Sequence, residues 1–90
     1  IFPKINLGTA YPNPFNPSTT ITFHLQNPGI VNIQIFDLNG YKIHNLTENF
    51  YTQGNHQLIW TPNKKISSGI YLISFETNKS FITRKVIYLK

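Results

Sequence analysis

Ninety residues make one small domain and leave no room for a second. Charged residues are 12% of the chain, aromatic residues 14%, and the formal net charge is +5, which suits a small aromatic core under an Asn- and Thr-rich surface. Cysteine is absent, which excludes a disulfide framework and thiol chemistry, and no run of about 18 apolar residues exists to cross a membrane as a helix.

The opening Ile1-Phe2-Pro3-Lys4 is not a signal peptide. A start without Met is what a piece of a longer protein would show. Residues 1–10 read as a linker with a short first strand near Ile5–Leu7, and residues 11–90 as the folded domain. Tyr11–Pro17, Tyr-Pro-Asn-Pro-Phe-Asn-Pro, alternates prolines with polar and aromatic residues. Each proline fixes φ, removes a donor and biases its predecessor toward extended backbone. The segment is expected to be stiff and irregular, and to clamp the first edge of a sheet.

Thr20–Gln26 then alternates, with Ile21, Phe23 and Leu25 on one face, as a half-buried strand does. Asn27-Pro28-Gly29 signals a turn. Ile30–Asp37 alternates again through Val31, Ile33 and Ile35. Asn39-Gly40 follows and predicts a hairpin, so Tyr41–Leu46 should run back antiparallel. Thr47–Gln53 reads as a loop or ragged edge. Gly54 opens a strand with His56, Leu58 and Trp60 on one face, and Trp60 is expected in the core.

Thr61–Ser68 is the longest polar loop. Gly69 precedes a strand over Ile70–Glu76, with Tyr71, Ile73 and Phe75 sharing a face. The Gly69 position is expected to need backbone angles that other residues avoid. Thr77–Ser80 is a turn. Phe81–Lys90 is the last strand, with Val86 and Tyr88 on one side and Ile87 and Leu89 on the other. Six or seven short strands without helical periodicity predict an all-β, immunoglobulin-like antiparallel β-sandwich.

Catalytic chemistry finds little material. The carboxylates are Asp37, Glu48 and Glu76 alone. Asp37 precedes the Asn39-Gly40 turn and is expected to cap it. No serine lies in a nucleophile-elbow motif. His24, His44 and His56 are too widely spaced for a usual metal-ligand pattern. Asp37-Leu38-Asn39-Gly40 lacks the remaining ligands of a calcium loop. The domain is therefore read as non-enzymatic, with no metal and no cofactor.

Tyr11, Phe15, Phe36, Tyr41, Phe50 and Tyr51 could make a platform for sugar or single-stranded nucleic acid if exposed in a row. No nucleic-acid fold motif accompanies them. Asn45-Leu46-Thr47 and Asn78-Lys79-Ser80 fit the short glycosylation pattern. Lys79, Arg84, Lys85 and Lys90 make the end of the chain basic, a pattern natural sheets use to blunt edge strands.

Several pieces occur together in one order: Tyr11-Pro12-Asn13-Pro14-Phe15-Asn16-Pro17-Ser18-Thr19-Thr20-Ile21, then Val31–Gly40, then Gly54-Asn55-His56 before Trp60. Ser68-Gly69-Ile70-Tyr71 and Arg84-Lys85-Val86-Ile87-Tyr88-Leu89-Lys90 close the set. In this order they resemble the type A C-terminal sorting domain of the type IX secretion system, the Por secretion family, over about Leu7 to Lys90. Tyr41 departs from the Gln or Arg more usual in that turn.

The resemblance implies a seven-stranded sandwich that directs folded cargo through an outer-membrane translocon to the medium or the cell surface. It implies an N-terminal cargo, a sortase-like peptidase cutting upstream of or within Ile1–Ala10, and surface lipopolysaccharide as an attachment point after processing. Nucleic acid is not among the expected partners. Pro12, Asn13, Pro14, Gly69, Tyr71, Arg84, Lys85 and Lys90 are the expected recognition residues. The last strand is expected to offer its backbone edge to the translocon. The competing readings are an accessory immunoglobulin-like module that binds glycan or acts as a spacer, and a structural domain related to the flagellar hook cap.

Overall fold

A computed structural model describes residues 5–78 and 80–90. Residues 1–4 lie outside it, and so does Lys79 of the basic tail and of the second glycosylation pattern. Seven strands form two antiparallel sheets: β1 (Ile5–Tyr11), β2 (Thr19–Leu25), β3 (Gly29–Phe36), β4 (Lys42–Tyr51), β5 (Gly54–Trp60), β6 (Gly69–Glu76) and β7 (Phe81–Tyr88). One sheet has the order β1-β2-β5 and the other β4-β3-β6-β7. The β-sandwich is as expected. The immunoglobulin comparison holds for its layers, but β4 pairs with β3 and not with β5, so the constant-type division of strands is not reproduced.

Period-two alternation sends one face of each strand inward. Ile21, Phe23 and Leu25 of β2 are buried against Val31, Ile33 and Ile35 of β3 and Tyr71, Ile73 and Phe75 of β6. A one-residue slip would expose all of them, so the pattern sets the register. Trp60 closes the core from β5, edge-on to Tyr71 of the opposite sheet at 5.9 Å. Phe23 meets Tyr51 the same way at 5.2 Å.

The first strand runs through Tyr11, beyond the short stretch expected. Gly8 explains how it fits. A Cβ there would lie 2.7 Å from Cδ1 of Phe75 and closer still to the rest of that ring's edge. Only glycine lets this backbone close over the core, and the pairing with β2 is irregular between Asn6 and Thr9.

Of the two readings of Thr47–Gln53, the ragged edge holds and the loop does not for most of it, because the edge strand β4 continues to Tyr51 against β3. Register shifts in this pairing, at Ile33/Gln34 and Ile35/Phe36, change the phase of the alternation and hide it in the sequence. Thr47 is buried, its hydroxyl 2.7 Å from the Tyr51 hydroxyl. The turn before β4 is as expected: Asp37 Oδ1 accepts from the N–H groups of Asn39 at 2.9 Å and Tyr41 at 3.0 Å. Gly40 there has φ +89°.

Candidate functional site: the seam between the proline segment and the last strand

The proline segment does clamp an edge, but it is the edge of β7, at the other end of the chain. Phe15 donates its N–H to the Ile87 carbonyl at 2.9 Å, and its carbonyl accepts from Leu89 at 3.0 Å. Two residues earlier the Asn13 side chain repeats the pattern. Its Oδ1 accepts from the Ile87 N–H at 2.9 Å, and its Nδ2 donates to the Lys85 carbonyl at 3.2 Å. A primary amide presents a donor and an acceptor side by side, as a peptide group does, so it can satisfy a strand edge where proline cannot.

Phe15 anchors this contact. It is 2% exposed, stacked on Tyr88 at 5.1 Å and tilted against Trp60 at 5.4 Å. Thr19, 1% exposed, donates its hydroxyl to the Pro12 carbonyl at 2.9 Å and ties the segment to β2. The seam therefore joins residues more than seventy positions apart and covers the edge of β7 from Lys85 to Leu89. The expectation of an open edge on the last strand is corrected here. Phe15 donates and accepts the backbone bonds that an incoming strand would have used.

The expected recognition residues gather around this seam. Pro12, Asn13 and Pro14 are exposed along it, as is Lys85. Lys90 donates its N–H to Ser68 Oγ at 2.7 Å and its ammonium to the Lys64 carbonyl. Gly69 pairs with Tyr88. Its φ is not in the positive range, and a Cβ there would meet Tyr71 at an ordinary 4.0 Å, so no unusual backbone demands glycine. Tyr71 is a core residue, 6% exposed, whose hydroxyl donates to the Ser67 carbonyl at 2.7 Å. Arg84 points the other way along the strand. Its Nε donates to the Gly8 carbonyl at 2.9 Å and bridges the gap between β7 and β1.

Sequence reasoning missed Phe15, Tyr88 and Thr19 as parts of this site. A signal was present: Phe15 is the one apolar residue between prolines and asparagines, which is how an anchor looks in a polar segment.

Other candidates disperse. Of the proposed aromatic platform, Phe15 is in the core, and Phe36 and Tyr51 are half-buried. Tyr11, Tyr41 and Phe50 are exposed on a strand of one sheet, a turn and a strand of the other, so they make no row. His24 pairs with Asn55 Oδ1 at 2.8 Å and His56 with the Thr52 carbonyl at 2.7 Å. Among the described residues no three His, Cys, Asp or Glu side chains converge to hold a metal. A cavity of about 500 Å³ lies between β4 and the 61–68 loop, lined by Ile43, His44, Trp60, Thr61, Asn63, Lys65 and Ile66. It holds no carboxylate.

A family model described as "Secretion system C-terminal sorting domain" matches residues 9–89. No curated protein and no solved structure matches the chain. The match begins just before the proline segment and ends on the residue whose N–H Phe15 binds, so it spans both halves of the seam. This chain belongs to the C-terminal sorting domains of the type IX secretion system, the signals that carry a cargo protein across the outer membrane to the medium or the cell surface.

Proposed function

We propose that the export machinery reads the seam as one composite surface, formed only when the domain is folded. Pro12, Asn13, Pro14, Lys85 and Lys90 present it. Gly69, Tyr71 and Arg84 support it from behind. The observation that carries this reading is the Asn13 amide bonded to both Lys85 and Ile87. That contact makes two distant pieces of sequence a single patch. Side chains do the reading, because the backbone edge beneath is already paired.

The domain performs no chemistry of its own in this reading. Asp37 is held in its turn, and Glu48 and Glu76 flank Asn32 from the neighbouring strands of the sheet. The sortase-like peptidase cuts upstream of Ile5, since Ile5–Tyr11 is paired into a sheet. Surface lipopolysaccharide, where it is used, then receives the cargo and not this domain.

Deleting Val86–Lys90 would be a poor test, because it removes Val86 and Tyr88 from the core. The better test fuses the 90 residues to a neutral periplasm-targeted reporter in a type IX-competent host. The wild-type fusion should reach the surface or medium. Asn13→Ala and Lys90→Glu fusions should remain in the periplasm while purified domains keep a folded spectrum. Normal export of both variants would refute the composite surface.

A further inference from the structure

The outer face of the four-stranded sheet carries a charge pattern of which the proposed sorting surface uses Lys85 alone. Its side chains fall into rows across β4, β3, β6 and β7. One row reads Lys42, Phe36, Leu72, Lys85. Next comes Asn45, Gln34, Ser74, Thr83, and then Glu48, Asn32, Glu76, Phe81. Two cations flank an apolar pair in the first row. Two carboxylates flank an amide in the third. A neutral row lies midway, about 7 Å from each.

Among the described residues none of these four charges has an ion-pair partner, and all four side chains are exposed. The Asn32 Oδ1 between the two carboxylates is buried and also lacks a hydrogen-bond partner. The third row thus holds two carboxylates and an amide oxygen in excess of its donors, and the first holds two cations without an acceptor. Phe81 adds an exposed ring, 67% accessible, at its end.

We propose that this face binds a second copy of the same chain, giving a two-fold dimer. The axis lies in the interface along the neutral row. Rotation about it lays each cationic row on the partner's acidic row. Lys42 then faces Glu48 of the other copy. Lys85 lies over the ring of Phe81, a cation–π arrangement, and one strand spacing of about 4.8 Å from Glu76. The symmetry repeats every contact, as an isologous interface requires. β1 lies in the opposite sheet and takes no part in this face.

Four strands of about eight residues cover roughly 14 by 26 Å of backbone, about 730 Å² for the two copies together, which places the contact among weak, transient interfaces. The dimer is accordingly concentration-dependent, and salt weakens it because its pairs are at a surface.

Sedimentation equilibrium on the 90-residue chain tests this. The mass should rise from 10.4 kDa toward twice that value with concentration, and the dissociation constant should rise roughly tenfold from low to high salt. Lys42→Glu with Lys85→Glu makes the face wholly acidic, and Glu48→Lys with Glu76→Lys makes it wholly basic. Each folded variant alone should be monomeric, and an equimolar mixture should form a heterodimer tighter than the wild-type dimer. A wild-type chain that stays monomeric at all concentrations would overturn the proposal. So would a mixture of folded variants that fails to associate, or a variant that dimerises as the wild type does.

Discussion

Replacing Phe15 by alanine tests whether the proline segment is part of the fold or only a lead-in. The ring is 2% exposed and packed between Tyr88 and Trp60. Truncating a buried Phe costs about 3–5 kcal/mol, the transfer of the ring plus the cavity left behind. A 90-residue domain has roughly 5–13 kcal/mol of stability. Near this size each kcal/mol moves Tm by about 4–8 °C. The expected fall is therefore on the order of 20 °C, read by thermal circular dichroism. Tyr11→Ala, in the same segment but 79% exposed, is the control and should shift Tm by a few degrees at most. If Phe15→Ala lowers Tm by less than about 4 °C, equivalent to under 1 kcal/mol, the ring is not the anchor described and the seam argument fails with it.

Gly8→Ala should destabilise the domain by about 1–3 kcal/mol in urea titration, because its Cβ meets Phe75; shortening that ring with Phe75→Leu should make the second change cost less in combination than alone. Asp37→Ala removes the acceptor for two turn amides and should cost about 1–2 kcal/mol, with slower hydrogen exchange at Asn39 and Tyr41 in the wild type than in the variant. Gly40→Ala, at φ +89°, should cost about 1 kcal/mol in the same titration, whereas Gly69→Ala should be nearly neutral, since that position has neither positive φ nor a close neighbour.

The strands that alternate cleanly were legible in the sequence. Ile21, Phe23 and Leu25, or Tyr71, Ile73 and Phe75, can be buried together in only one conformation, so their spacing decides it. β4 was legible only as far as Leu46. Its two irregularities against β3 shift the phase, and an exposed edge strand needs few apolar residues to hold it. The stiffness of Tyr11–Pro17 followed from its prolines, but its partner did not. Which edge it covers depends on a contact between positions 13–15 and 85–89, and local chemistry cannot specify a pairing across that distance. For the same reason the carboxylates looked merely isolated along the chain. Glu48 and Glu76 become neighbours of Asn32 only once β4, β3 and β6 are in register.

A sorting domain is appended to cargo whose surfaces it cannot anticipate, and a bare strand edge would pair with any of them. Three edges here are blunted by different means. β7 is covered by Asn13 and Phe15. β1 is irregular at its pairing and bridged at Gly8 by Arg84. β4 has two register shifts and places Lys42 at its start. Backbone pairing is sequence-tolerant, so suppressing it leaves selectivity to side-chain patterns such as those proposed for the seam and the sheet face. The Asn13 amide shows the logic at one residue. It uses a side chain to satisfy backbone that would otherwise be adhesive, and in the same step it brings Pro12, Pro14 and Lys85 into one surface.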